Sequence, residues 1–160
     1  FSRPAAQILG QYYQFIRLGF EGYKNIQYNS LSIAKYLHDT VAQMPEFQPY
    51  SEEVPNPIFT WLMKPEFQKT AKWTLFDLQD KLAQKGWMVP AYTLPANIQN
   101  VVVMRVLCKQ GFSRDMADQL LNDIRFAITE LNALEYPTTT RIAMEKNIPL
   151  VPKSFNHTGK

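Results

Sequence analysis

The stretch Val101–Cys108, VVVMRVLC, constrains the fold of this chain most. It is short, rich in β-branched residues and apolar at every position but one, which predicts a strand. In a strand, residues 101, 103, 105 and 107 share one face, and 102, 104, 106 and 108 share the other. Both faces look buried, as in a strand with cover on each side. Arg105 is the exception, and a guanidinium cannot shed its charge. An unpaired buried charge costs several kcal/mol. Two readings follow from the residues alone. In one, Arg105 pairs with a local Asp or Glu or reaches solvent at the strand end. In the other, it is a two-pronged donor for a ligand carboxylate or phosphate. The structural reading has more weight on this evidence, and both stay open.

Around this strand the chain divides into two styles. From about Pro4 to Met44 it reads as one long helix. Ile8, Tyr12, Phe15, Ile16, Tyr23, Ile26, Leu31, Ala34, Leu37 and Val41 follow helical spacing. Ser2 is a candidate N-cap with Pro4 in the first turn, and Gly19 and Gly22 predict a bend or break. The next stretch, MPEFQPYSEEVPNP, is a Pro-rich loop with room for one short strand. Ile58–Met63, IFTWLM, reads as a strand, and KPEFQKTAK as a turn or loop. Thr74 and Asp77 resemble a capping box opening a helix with Leu75, Leu78 and Leu82 on one face, stopped by Gly86. Trp87–Leu94 predicts a strand with Pro90 at an edge or bulge. Ser113 caps a last helix whose inner face carries Met116, Leu120, Ile124, Ala127, Ile128 and Leu131. After Pro137 periodicity fades into a polar tail. The last two strands, joined by a short turn, should pair antiparallel. The expected fold is α+β: a small, mainly antiparallel sheet with helices on one face, preceded by a long N-terminal helix. The expected organisation is a helical linking segment over 1–44, a small α+β domain over 45–136 and a tail over 137–160.

Composition narrows the function classes. The chain has 160 residues, 46% hydrophobic and 19% charged, with a net charge of +3 and no run of Lys or Arg. That fits a folded domain and gives little footprint for nucleic acid. A single cysteine, Cys108, rules out an internal disulfide and suits a reducing, cytoplasmic setting. No apolar stretch approaches the roughly 20 residues of a membrane span. There is no Gly-rich phosphate loop, GxSxG or HExxH. His38 and His157 are far apart with no ligand spacing to Cys108, so no metal site is expected. His38 is expected on a helix surface, and Glu52 and Glu53 in a solvated turn. The opening FSRPAAQ reads as the interior of a longer chain.

Several separated motifs carry a family resemblance. FSRPAAQILGQYYQFIRLGFEGY, KGWMVPAYTLP, VVVMRVLCKQGFSRDMADQLLNDI and SFNHT, in this order, resemble the C-terminal part of glutamate decarboxylase. This is a pyridoxal-phosphate (PLP)-dependent group II decarboxylase family of bacteria and plants. The resemblance runs nearly end to end and implies the small C-terminal domain of a fold-type I PLP enzyme. The whole enzyme would convert L-glutamate to 4-aminobutyrate and CO2 in the cytoplasm as a homo-oligomer, a dimer or higher.

The resemblance also implies site residues. Arg105 matches the arginine that holds the substrate α-carboxylate. Ser2, with Phe1 beside it, matches a segment reaching the cofactor phosphate of a neighbouring subunit. His157 matches a tail histidine that closes the active site near neutral pH, although Gly159 and Lys160 extend past the usual ending. The lysine that binds PLP covalently has no counterpart here, so this chain alone is expected to be inactive. Residues 137–160 lack a basic amphipathic helix with a Trp anchor, so calmodulin binding is not expected. The alternatives are a decarboxylase of another amino acid, or a non-catalytic module that uses the long helix for dimer contacts.

Overall fold

A computed structural model describes residues 2–146 and Ile148. Nine elements follow in order: α1 (Ala6–Ala42), β1 (Phe47–Pro49), β2 (Ile58–Met63), α2 (Pro65–Thr70), α3 (Leu75–Gln84), β3 (Ala91–Thr93), β4 (Val102–Leu107), α4 (Arg114–Asn132) and α5 (Thr139–Glu145). The sheet order is β1-β2-β4-β3, and every neighbouring pair is antiparallel. α1 packs on β1 and β2, α3 packs on β3 and β4, and α4 packs against α1 and α3. The helices cover one face of the sheet, so the expected α+β architecture holds. No helix among the described residues is long and apolar enough to cross a membrane.

The alternation of the strands decides which face is covered. On β2, Phe59, Trp61 and Met63 are buried. Phe59 lies opposite Val106 and Trp61 opposite Met104, so the inward sets of β2 and β4 meet in one layer. Trp61 stacks on Phe59 at 5.4 Å between ring centroids, and Phe47 meets Trp73 edge-on at 6.4 Å. Each such buried side chain stabilises the fold by about 1.5–3 kcal/mol. From the helices, Ile33, Leu37 and Val41 of α1, Leu78 and Leu82 of α3, and Leu120 and Ile124 of α4 fill the same core.

The second face is largely open, which corrects the expectation that β4 is buried on both sides. Val103 is buried there, but Arg105 and Leu107 are exposed. The run of large aliphatic residues therefore overstates the cover around Arg105 and Leu107.

Local chemistry explains the helix ends. Asp77 Oδ2 accepts from the Thr74 backbone N–H and hydroxyl, both at 2.7 Å, and from the Thr138 hydroxyl at 2.9 Å. Gly86, at φ +87°, stops α3, and the Trp87 N–H returns to the Leu82 carbonyl at 3.0 Å. The Ser113 hydroxyl accepts from the Met116 N–H at 3.2 Å and opens α4. α1 kinks at Gly19, whose φ of 58° and ψ of −172° are non-helical, as the glycines predicted.

Several expectations need correction. α1 begins at Ala6, after an Ala5 cap with no side-chain hydrogen bond, so Ser2 is not its N-cap. Pro4 offers no N–H and disfavours helical geometry at Arg3, which moves the start forward. KPEFQKTAK contains α2, with Pro65 at its first turn, Glu66 early and Lys69 late. The strand expected over Trp87–Leu94 shrinks to Ala91–Thr93, at the sheet edge. On α4 the expected Leu120, Ile124, Ala127, Ile128 and Leu131 do face inward and are joined by Ala117 and Leu121, but Met116 is exposed. Within the expected polar tail, Thr139–Glu145 forms α5, capped by the Thr138 hydroxyl at 3.1 Å from the Arg141 N–H. His38 is buried at 7% exposure, not on the surface.

Candidate functional site

Arg105 stands on the open face of β4, opposite Thr60 of β2. Its backbone N–H donates to the Pro90 carbonyl at 3.1 Å, which fixes the strand edge beneath it. Among the described residues its guanidinium makes no ion pair, so the local salt bridge is not formed. Instead it lies over the Tyr92 ring, 5.6 Å from the centroid. Such a contact supports a cation without neutralising it.

Beside it runs a groove of about 530 Å3, whose lining includes Trp87, Met88, Pro90, Arg105, Leu107 and Lys109. Two cations therefore border one groove, and neither has a carboxylate partner among the described residues. The nearby acid Asp123 accepts the Trp87 indole N–H at 2.7 Å, which orients the indole. A groove with apolar walls, positive charge and no internal counter-ion suits an anionic ligand with a short apolar body.

The other expected site residues are placed differently. Ser2 is exposed and outside α1, with its hydroxyl unused for capping. Phe1 and His157 lie outside the described residues. His38 was read as a surface group, but its Nδ1 lies 2.9 Å from Asp39 Oδ1 and its Nε2 lies 3.0 Å from the Ser51 carbonyl. Both partners are acceptors, so each ring nitrogen faces an oxygen. This residue ties α1 to the loop after β1 and lies apart from Arg105. Cys108 is buried, and desolvation pushes its thiol up to about 11, which makes it a poor nucleophile.

A more enclosed cavity of about 280 Å3 lies between the end of β2, α2 and α5, with Leu62, Gln68, Trp73, Arg141 and Met144 in its wall. Arg141 Nε is 3.0 Å from Glu145 Oε1, but the approach is too bent for a hydrogen bond. Its guanidinium is already matched by a neighbouring carboxylate, which sets this cavity apart from the groove at Arg105.

The same two-layer α+β fold occurs in Oryza sativa TDC, solved with PLP and tryptamine, which is 10% identical with a TM-score of 0.62, covering 74% of this chain and 25% of that one. The glutamate decarboxylase of Lactobacillus brevis superposes with a TM-score of 0.77 at 35% identity, covering 84% of this chain and 30% of that one. In sequence, the glutamate decarboxylase beta of Listeria innocua is 41% identical over 132 residues, 82% of this chain and 28% of that protein. No family model matches the chain. The chain is homologous to a portion of the glutamate decarboxylases, and the resemblance read in its sequence holds. It spans under a third of the length of these relatives. A match of that extent necessarily includes the middle of the chain, Arg105 among it.

Proposed function

We propose that this chain is the small-domain portion of a PLP-dependent glutamate decarboxylase, which converts L-glutamate to 4-aminobutyrate and CO2. The observation that carries the reading is the exposed Arg105 guanidinium, with no described counter-ion, in a chain homologous to that family. Residues 1–44 link this portion to the rest of the enzyme, 45–136 form the small domain, and 137–160 carry the regulatory tail with His157. The whole enzyme works in the cytoplasm as a homo-oligomer.

Bound PLP supplies the sink for the electron pair left behind as CO2 departs. This chain fits a supporting role toward that group. The exposed Ser2 hydroxyl is available to a phosphate oxygen, with Phe1 beside it.

Arg105 grips the substrate α-carboxylate through two N–H groups and fixes the direction of the scissile bond. The grip has to be limited. The carboxylate loses its charge as CO2 forms, so a tight hold favours the ground state over the transition state. A guanidinium with one side toward solvent and the other toward a ring meets that need.

The full-length protein reconstituted with PLP should release CO2 from L-glutamate, and this chain alone with PLP and glutamate should release none. Turnover of another amino acid in preference to glutamate, or turnover by this chain alone, would overturn the proposal.

A further inference from the structure

We infer that Tyr92 is a positioning residue for Arg105, holding its guanidinium by the face of the ring. The inference rests on the reading of Arg105 as the group that binds the substrate α-carboxylate. In the strand register Tyr92 lies opposite Val103, two residues from Arg105 on the same face, and Thr60 lies opposite Arg105 from the other side. Diagonal neighbours of this kind are within reach of an aromatic ring and a long side chain. The 5.6 Å separation of guanidinium carbon and ring centroid is that of a cation–π pair.

The choice of partner matters chemically. A carboxylate partner would occupy the N–H groups of the guanidinium and cancel its charge. A ring face accepts no conventional hydrogen bond, so the N–H donors remain available to a ligand. Tyr92 can thereby restrict the motion of Arg105 without competing with the substrate.

The ring is itself held. β3 is an edge strand of three residues, yet it is pinned along its length. The Ala91 N–H donates to Gln79 Oε1 at 2.7 Å, reaching from α3. The Leu94 N–H donates to the Val101 carbonyl at 3.0 Å, and the Arg105 N–H donates to the Pro90 carbonyl at 3.1 Å. These bonds secure the backbone on both sides of Tyr92, so its ring has a fixed base against β4. The hydroxyl has no part in the contact, so Phe should replace Tyr and an aliphatic residue should not.

The test uses the full-length PLP-loaded enzyme carrying Tyr92→Phe, Tyr92→Leu or Arg105→Lys. Tyr92→Phe should keep kcat/KM for glutamate within about twofold, while Tyr92→Leu lowers it by roughly 3- to 30-fold. Inhibition by 4-aminobutyrate, which lacks the α-carboxylate, should be unchanged in all three at equal thermal stability. A severe Arg105→Lys defect with a normal Tyr92→Leu enzyme overturns the role of Tyr92 alone. Equal losses in Tyr92→Phe and Tyr92→Leu, or weaker 4-aminobutyrate inhibition in step with the glutamate defect, also overturn it. A normal Arg105→Lys enzyme overturns the assignment of Arg105 and, with it, that of Tyr92.

Discussion

The two faces of the sheet are built from alternate residues of the same strands, yet they obey different rules. On the covered face Phe59, Trp61 and Met63 meet Met104 and Val106, and every one is buried. On the open face Ile58, Thr60 and Leu62 accompany Arg105 and Leu107, and most of these are accessible. The covered face holds the layers together through apolar contact, which tolerates little change in volume. The open face contributes less to the fold, so it can carry a guanidinium that a core would exclude. The strand thus serves as scaffold on one side and presents Arg105 on the other, where the proposed function puts its site, with a period of two residues separating the two faces.

Adjacent substitutions should break this comparison if it is wrong. The largest effect is expected for Met104→Ala, which empties a fully buried position and should cost about 2–5 kcal/mol of unfolding free energy in a denaturant titration. A cost near zero would mean that the covered face is not a packed core. Next is the thiol of Cys108, also on the covered side and 1% exposed. Its value is raised from 9.0 to about 11 by desolvation, so at pH 8 the folded chain should react with a thiol reagent roughly 100-fold more slowly than the unfolded chain. The neutral thiol is favoured by folding. Its contribution is therefore complete below pH 9.0 and is lost as the pH rises through about 11. Asp77→Ala removes the shared acceptor of Thr74 and Thr138 and should cost about 1–2 kcal/mol by the same titration. The smallest effect belongs to the open face. Leu107 is 47% exposed, and Leu107→Ala should stay within about 0.5 kcal/mol of the parent. A loss comparable to that of Met104→Ala would erase the distinction between the faces.

The features legible in the sequence are those written within a few residues of one another. Thr74 and Asp77, Ser113, Gly86 and the kink at Gly19 are local backbone solutions, and the strands Ile58–Met63 and Val102–Leu107 announce themselves by composition and length. What escaped depends on residues distant in the chain. α2 and α5 are short and partly polar, and α5 leans on Thr138, whose hydroxyl reaches back to Asp77. His38 is buried because a carbonyl 13 positions away, at Ser51, meets its ring. The Pro65 and Glu66 pattern of α2 was a readable helix start, masked by the turn-like look of its proline.

The site divides in the same way. The residues alone marked Arg105 as unusual and favoured a salt bridge or an escape to solvent, and the exposed guanidinium fits the second. Its ring partner, Tyr92, belongs to another strand and becomes a neighbour only through the β3–β4 register. The family resemblance supplied the carboxylate reading, which the residues alone had left open.

If Arg105 orients a carboxylate from the open face of β4, as proposed, the fold itself should not need it. Arg105→Lys in the full-length enzyme, assayed for glutamate turnover beside thermal unfolding, tests it most directly. The unfolding temperature should be unchanged and kcat/KM reduced at least about tenfold, because lysine keeps the charge and loses the paired donors. Near-normal kinetics, or an activity loss that merely follows a collapse in stability, would contradict it.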